Sequence, residues 1–222
     1  MSRYVEVFGV IAALLQAVGY ALYLYDSVRK TVEPNAATWL MFAYGTILLT
    51  VLEWDNHASN ALLALPATCA LMGVIVATLC AKRGSLRWPR SWEDVWEVRA
   101  FKCDITLTVL YFGTWVLTVA ALLDEADRSL AVLVILFGSN ATTITAFIPI
   151  LRSTWRDPSR ERPFAWTIWA CAYSILGVTT IIEEGGWWTV LMLYPASNAL
   201  LHGLVAWFAR PERRRHRLQA AE

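Results

Sequence analysis

Residues 33–46 read EPNAATWLMFAYGT, and residues 162–175 read RPFAWTIWACAYSI. At a constant offset of 129 positions, Pro34, Ala36, Thr38, Ala43 and Tyr44 recur as Pro163, Ala165, Thr167, Ala172 and Tyr173. Extending the pairing without a gap sets 34–77 against 163–206 with 13 identities in 44 positions, including Thr50/Thr179, Leu62/Leu191 and Pro66/Pro195. An Ala- and Leu-rich composition inflates the Ala and Leu matches. It does not account for the Pro, Thr and Tyr pairs, because a proline within a helix removes a backbone hydrogen bond that its neighbours must replace. The chain reads as one unit written twice.

Composition says what kind of unit. Hydrophobic residues make up 57% of the 222, charged residues only 17%, and 12 residues are Trp, a balance unlike that of a water-soluble domain. Crossing the hydrocarbon as a helix takes about 20 predominantly apolar residues. Seven such windows, bounded by charge or turn residues, lie at 4–25, 36–53, 60–81, 103–123, 128–151, 164–183 and 187–209. The first lacks a basic start and a small-residue cleavage site, so it reads as a permanent span.

The net charge of +1 conceals a sharp asymmetry. With the carboxyl terminus inside, 17 of the 19 Lys and Arg residues fall on the inner face, and only Arg3 and Arg128 fall outside. The positive-inside rule then sets the amino terminus outside and the carboxyl terminus in the cytoplasm, as expected of a plasma or inner membrane protein. The tail PERRRHR next to the last span reads as a contact for anionic lipid at the cytoplasmic face, not for nucleic acid. Ser91 and Asp94 stand at capping-box spacing ahead of Trp92, Val95 and Trp96, which predicts a short amphipathic helix on the inner surface.

Carried backwards, the same offset pairs the first span with the fifth. The expected fold is all-α and integral to the membrane, with seven transmembrane helices: a three-helix repeat over 1–81, an amphipathic segment and linker helix over 82–127, a second repeat over 128–209, and a basic tail over 210–222. One linker span makes the two triplets parallel, a known transporter plan with the substrate site near the midplane where the repeats meet.

This three-plus-one-plus-three order, the outside amino terminus, and a basic turn leading to a proline at the start of the second helix of each triplet resemble the SWEET and PQ-loop transporters. PnuC-type vitamin transporters share the architecture and a richness in Trp. The resemblance implies a SWEET-like fold, transport of a sugar or vitamin, and hinge roles for Pro34, Pro149 and Pro163. The fourth hinge position is Tyr20, and Pro149 is followed by Ile150 where PQ-loop proteins have Gln.

Depth selects the candidate site. At about 1.5 Å per helical residue, Gln16, Asn140 and Asn198 lie roughly 16 to 18 Å from the outer ends of their spans. Tyr44 and Tyr173 lie roughly 12 to 14 Å from the inner ends of theirs, so all five fall near the middle of a core about 30 Å thick. Such amides and hydroxyls either glue helices together or line a cavity where they orient an uncharged ligand. His202, one turn beyond Asn198, is the candidate proton-responsive group. Trp39, Trp166, Trp169, Trp187 and Trp188 stand near span ends and read as interfacial anchors. Glu53, Glu183 and Asp104 fall at span ends, and a span interior without a carboxylate favours passive transport over ion coupling.

Other classes fit less well. The Lys residues are 30, 82 and 102, none of them in the last span, which excludes a retinal Schiff base of the opsin kind. Four Cys at 69, 80, 103 and 171 form no CxxC pair and have no His at ligand spacing, so neither a disulfide framework nor a metal is expected. His202 and Ser197 are the sole pairing of base and nucleophile at one depth, and five residues apart on one helix is poor geometry for catalysis. The expectation is a facilitator, not an enzyme and without a cofactor, that moves a small uncharged polar solute by alternating access. The alternative is a non-transporting seven-helix receptor or assembly factor on the same scaffold. Two triplets complete a pathway within one chain, so homo-oligomer formation is permitted and not required.

Overall fold

The computed structural model describes residues 3–32, 34–83, 95–186, 188–210 and 212. The basic tail beyond 212, Trp187, and the start of the expected amphipathic helix at Ser91 and Trp92 lie outside these residues. The described chain is helical throughout: α1 (Arg3–Val28), α2 (Ala36–Asp55), α3 (Asn60–Lys82), α4 (Val95–Val119), α5 (Glu125–Ala146), α6 (Ile148–Arg156), α7 (Pro163–Glu184) and α8 (Leu193–Phe208).

Five helical stretches are long and apolar enough to cross a membrane: Arg3–Val28, Asn60–Lys82, Glu125–Arg156, Pro163–Glu184 and Val190–Phe208. That is the make-up of an integral membrane protein. The second and fourth expected spans are not among the five. α2 carries Glu53 and Asp55 in its last turn, and α4 carries Arg99, Lys102 and Asp104 in its first half. The expected break before the fourth span is also absent, because α4 runs without interruption from Val95 past Cys103.

Local signals set the helix boundaries. Asn35, Ser59 and Asp124 each cap a helix by accepting from the backbone N–H three residues on, at Thr38, Leu62 and Asp127. Gly185, at φ 70°, closes α7 in the left-handed conformation that glycine adopts freely. All three expected hinge prolines mark helix starts. Pro34 precedes the cap of α2, Pro149 lies in the first turn of α6 just after α5 breaks at Phe147, and Pro163 opens α7. Pro66 lies inside α3.

The packing order is the same in both halves. α3 lies between α1 and α2, and α8 lies against α7 on one side and against α5 and α6 on the other. Across the middle, α1 packs on α7 and α2 on α5, while α4 lies mainly against α5. Missing side chains permit the tightest approaches. A Cβ on Gly9 would stand 2.5 Å from the Ala61 carbonyl oxygen, and one on Gly19 would stand 2.4 Å from Trp169 Nε1. Small residues at such crossings are how helices associate where no hydrophobic effect drives them together.

Polar contacts tie the halves at both ends. At one end Arg128 on α5 grips Asp55 on α2 at 2.5 and 2.6 Å and lies over the Trp115 ring, while Ser59 donates to Glu183 at 2.8 Å. At the other, more basic end, Arg162 pairs with Asp26 at 3.2 Å, and within the first half Arg83 donates to the Ser27 carbonyl at 2.7 Å.

Candidate functional site

Where α1, α3, α7 and α8 converge, polar side chains gather in an otherwise apolar interior. Tyr20 Oη lies 3.1 Å from Cys69 Sγ, Tyr173 Oη donates to the same sulfur at 3.5 Å, and Tyr173 and Tyr194 share a hydroxyl bond of 2.9 Å. Four elements thus supply one network, all of it within a few per cent of full burial. The Gln16 side chain lies beside Tyr20 and Cys69. It is fully buried, and although it lies close enough to influence both groups, neither its carbonyl oxygen nor its amide nitrogen makes a hydrogen bond of good geometry. Its backbone carbonyl accepts from Trp169 Nε1 at 3.2 Å. A buried amide left unmatched costs about 1 to 3 kcal/mol, so native interiors rarely keep one without a reason.

His202 and Asn198 form the α8 wall. Asn198 Nδ2 donates to the Tyr194 carbonyl at 2.9 Å, and its own carbonyl accepts from His202 Nδ1 at 2.8 Å, which fixes the proton on Nδ1. The imidazole is enclosed by Phe147, Trp166, Trp169 and Tyr173, with ring centroids 4.9 to 5.6 Å away. Gln16, Tyr173 and His202 therefore meet in one cluster, while the Asn198 side chain, buried one turn before His202, bonds within its own helix.

Tyr44 and Asn140 do not join this network. Tyr44, in step with Tyr173 in the repeat, turns to the linker helix and bonds Thr108 Oγ1 at 2.7 Å. Asn140 is buried, donates to the Leu136 carbonyl of its own helix at 2.9 Å, and leaves its Oδ1 without a partner.

Three of the tryptophans assigned to the interface are core residues. Trp39, Trp166 and Trp169 are at most 1% exposed, because each indole N–H finds an internal acceptor: Tyr23 Oη, Glu161 and the Gln16 carbonyl. Trp188, by contrast, is 82% exposed. Asp104 is likewise not at a helix end, so the expectation of a span interior without a carboxylate fails, and with it the argument for passive transport. Asp104 lies well inside α4, is 2% exposed, faces Gly45 of α2, and leaves Oδ1 without a partner.

Sequence reading passes over Glu161 because it stands between Arg160 and Arg162 in a short connection that looks solvated. It is fully buried, with Tyr23 Oη donating to Oε1 at 3.2 Å and Trp166 Nε1 to Oε2 at 2.9 Å. Burial pushes its carboxyl up to about 8, against the opposing pull of the Trp166 and Tyr23 bonds and of Arg160. An indole five residues downstream, at Trp166, is the signal that would have found it.

Between the tyrosine network and the Asp55 end, a cavity of about 10 Å³, room for one water, is lined by Glu53, Leu62, Leu176, Thr180, Leu191 and Pro195. Among the described residues no group of three or more His, Cys, Asp or Glu side chains could hold a metal ion. Comparison with protein-family models, with curated proteins and with solved structures gives no match.

Proposed function

We propose that this chain is a membrane facilitator for a small uncharged polar solute of the sugar or vitamin kind, with its binding site at the Gln16, Tyr20, Cys69, Tyr173, Tyr194 cluster and the Asn198–His202 wall. The observation that carries this reading is Gln16. A buried amide with donor and acceptor both unmatched, among hydroxyls, a thiol and aromatic faces, offers orientation without charge.

The helix packing supports a SWEET-like arrangement of two parallel triplets. In both halves the third helix lies beside the other two, and the first helix of each half packs on the second helix of the other. Seven spans, the outside amino terminus, a plasma or inner membrane address and anionic lipid at the basic face belong to the same proposal. Polar ties at both ends enclose the cluster. Alternating access then requires one set of ties to release while the other holds, with the α5–α6 break at Phe147 and Pro149 and the helix starts at Pro34 and Pro163 as the places to bend.

The test is a thermal-shift screen of detergent-purified protein against sugars, nucleosides and water-soluble vitamins, repeated with Asn198→Ala. A ligand that binds only the folded state must raise its stability. A compound that stabilises the wild type and loses its effect in the variant supports the site. No stabilising compound at millimolar concentration sinks the facilitator reading in favour of a receptor or assembly factor.

A further inference from the structure

The basic end of the molecule is closed by an unusual contact. Tyr23 of α1 accepts from Trp39 Nε1 of α2 at 3.2 Å and donates its own hydroxyl hydrogen bond to Glu161, which also accepts from Trp166 of α7. Two elements of the first half and two of the second are thereby joined through one carboxyl group. The rings reinforce the contact: Tyr23 lies 5.0 Å from Trp39, 6.1 Å from Trp166 and 5.5 Å from Trp169. Cys80 of α3, 1% exposed, is packed into the same cluster.

We propose that Glu161 is a proton-operated latch at the basic end: its carboxyl, seated between Tyr23 and Trp166, locks α1 and α2 to the start of α7, and its ionisation and withdrawal into water open that end. The α6–α7 connection is short, so withdrawal of Glu161 moves the first turn of α7 with it. The groups facing the carboxyl are Tyr23 and Cys80 in the cluster, Arg160 beside it in sequence, the Asp26–Arg162 pair at the rim, and His202 across the Trp166 ring. This latch extends the facilitator reading, but it is detectable whether or not a solute moves.

The direction with pH follows from linkage. The seated carboxyl titrates at about 8 against an ordinary value of 4.5, so the closed end holds its proton more tightly than the open end. Closure is strongest below the ordinary value and weakens as pH rises through the interval up to about 8, by as much as tenfold in the opening equilibrium per pH unit.

The test is the rate at which a membrane-impermeant thiol reagent modifies Cys80 in full-length protein, read by peptide mass spectrometry so that exposed Cys103 and Cys171 do not interfere. Dividing each wild-type rate by that of Glu161→Gln at the same pH removes the reagent's own pH dependence. Gln keeps an acceptor and cannot ionise. The expected ratio is already above one at pH 5.5 and at least about tenfold higher at pH 8, while Glu161→Ala is labelled rapidly at both. Tyr23→Phe, which removes one donor and keeps the ring, is labelled faster than wild type at pH 5.5 and serves if the Ala variant does not fold. A flat ratio from pH 5.5 to 8 overturns the proton dependence. Folded Glu161→Ala or Tyr23→Phe protein with wild-type labelling overturns the latch itself.

Discussion

A single amide separates binding from packing in this interior. Gln16 touches the tyrosine–thiol network and satisfies neither of its polar atoms, so replacing it by an apolar residue of similar length removes an uncompensated desolvation cost. Gln16→Leu should leave the melting temperature of ligand-free protein unchanged or raise it, by the equivalent of about 1 to 3 kcal/mol. The same change should abolish stabilisation by any compound found in the thermal-shift screen. A lower melting temperature together with an intact ligand response would make Gln16 a structural residue. The burial of Gln16, Tyr173, Asn198 and His202 inside the bundle was legible in the sequence, because polar residues in apolar windows are few and must find shelter from lipid. Glu161 was not legible. Its neighbours Arg160 and Arg162 give the local sequence a solvated look, and only the chain fold carries it under Trp166.

Between elements, the ties at the acidic end are specific enough to test in isolation. Arg128 and Asp55 are both more than nine-tenths buried, and the guanidinium lies on Trp115 at 4.2 Å. Removing one member of such a pair strands a buried charge at a cost of about 3 to 5 kcal/mol, whereas replacing both by apolar residues is close to neutral. Arg128→Met alone should lower the thermal midpoint markedly, and Arg128→Met with Asp55→Leu should recover most of the loss. An additive double variant would show that the pair contributes little. The linker helix explains why the repeat misleads at this scale. Tyr44 and Tyr173 stand in step, but α4 lies beside α2 and offers Thr108 to Tyr44, whereas Tyr173 faces Cys69 and Tyr194. A duplicated sequence predicts equivalent positions, and an unpaired helix makes them inequivalent. The tryptophans failed for a related reason: a span end is the right place both for an interfacial anchor and for a ring that plugs a helix junction, and sequence position cannot distinguish the two.

For the whole molecule, five stretches apolar enough to cross a membrane predict that the protein stays in the pellet after alkaline carbonate extraction of membranes; release into the supernatant would refute integral insertion. The proposed orientation has a separate check. Cys103 and Cys171 are both exposed, so labelling is read at the introduced cysteine by peptide mass spectrometry. In right-side-out vesicles a cysteine introduced at Ser129, near the start of α5, should react with an impermeant reagent, while one introduced at Ser159 should react only after permeabilisation. The reverse pattern would invert the topology. The apolar windows were visible in the sequence, since hydropathy is a property of single residues summed along the chain.

The indole cluster also gives the molecule an optical property. Trp166 and Trp169 stand almost perpendicular at 4.9 Å, with Trp39 at 6.5 and 6.0 Å from them. Chromophores this close and this fixed share their excitation, so the near-ultraviolet circular dichroism of the protein should carry a coupled band that an isolated indole does not produce. Two of these rings ride on α7 and one on α2, so the band measures the distance between the two halves and can be recorded without a label or a known ligand.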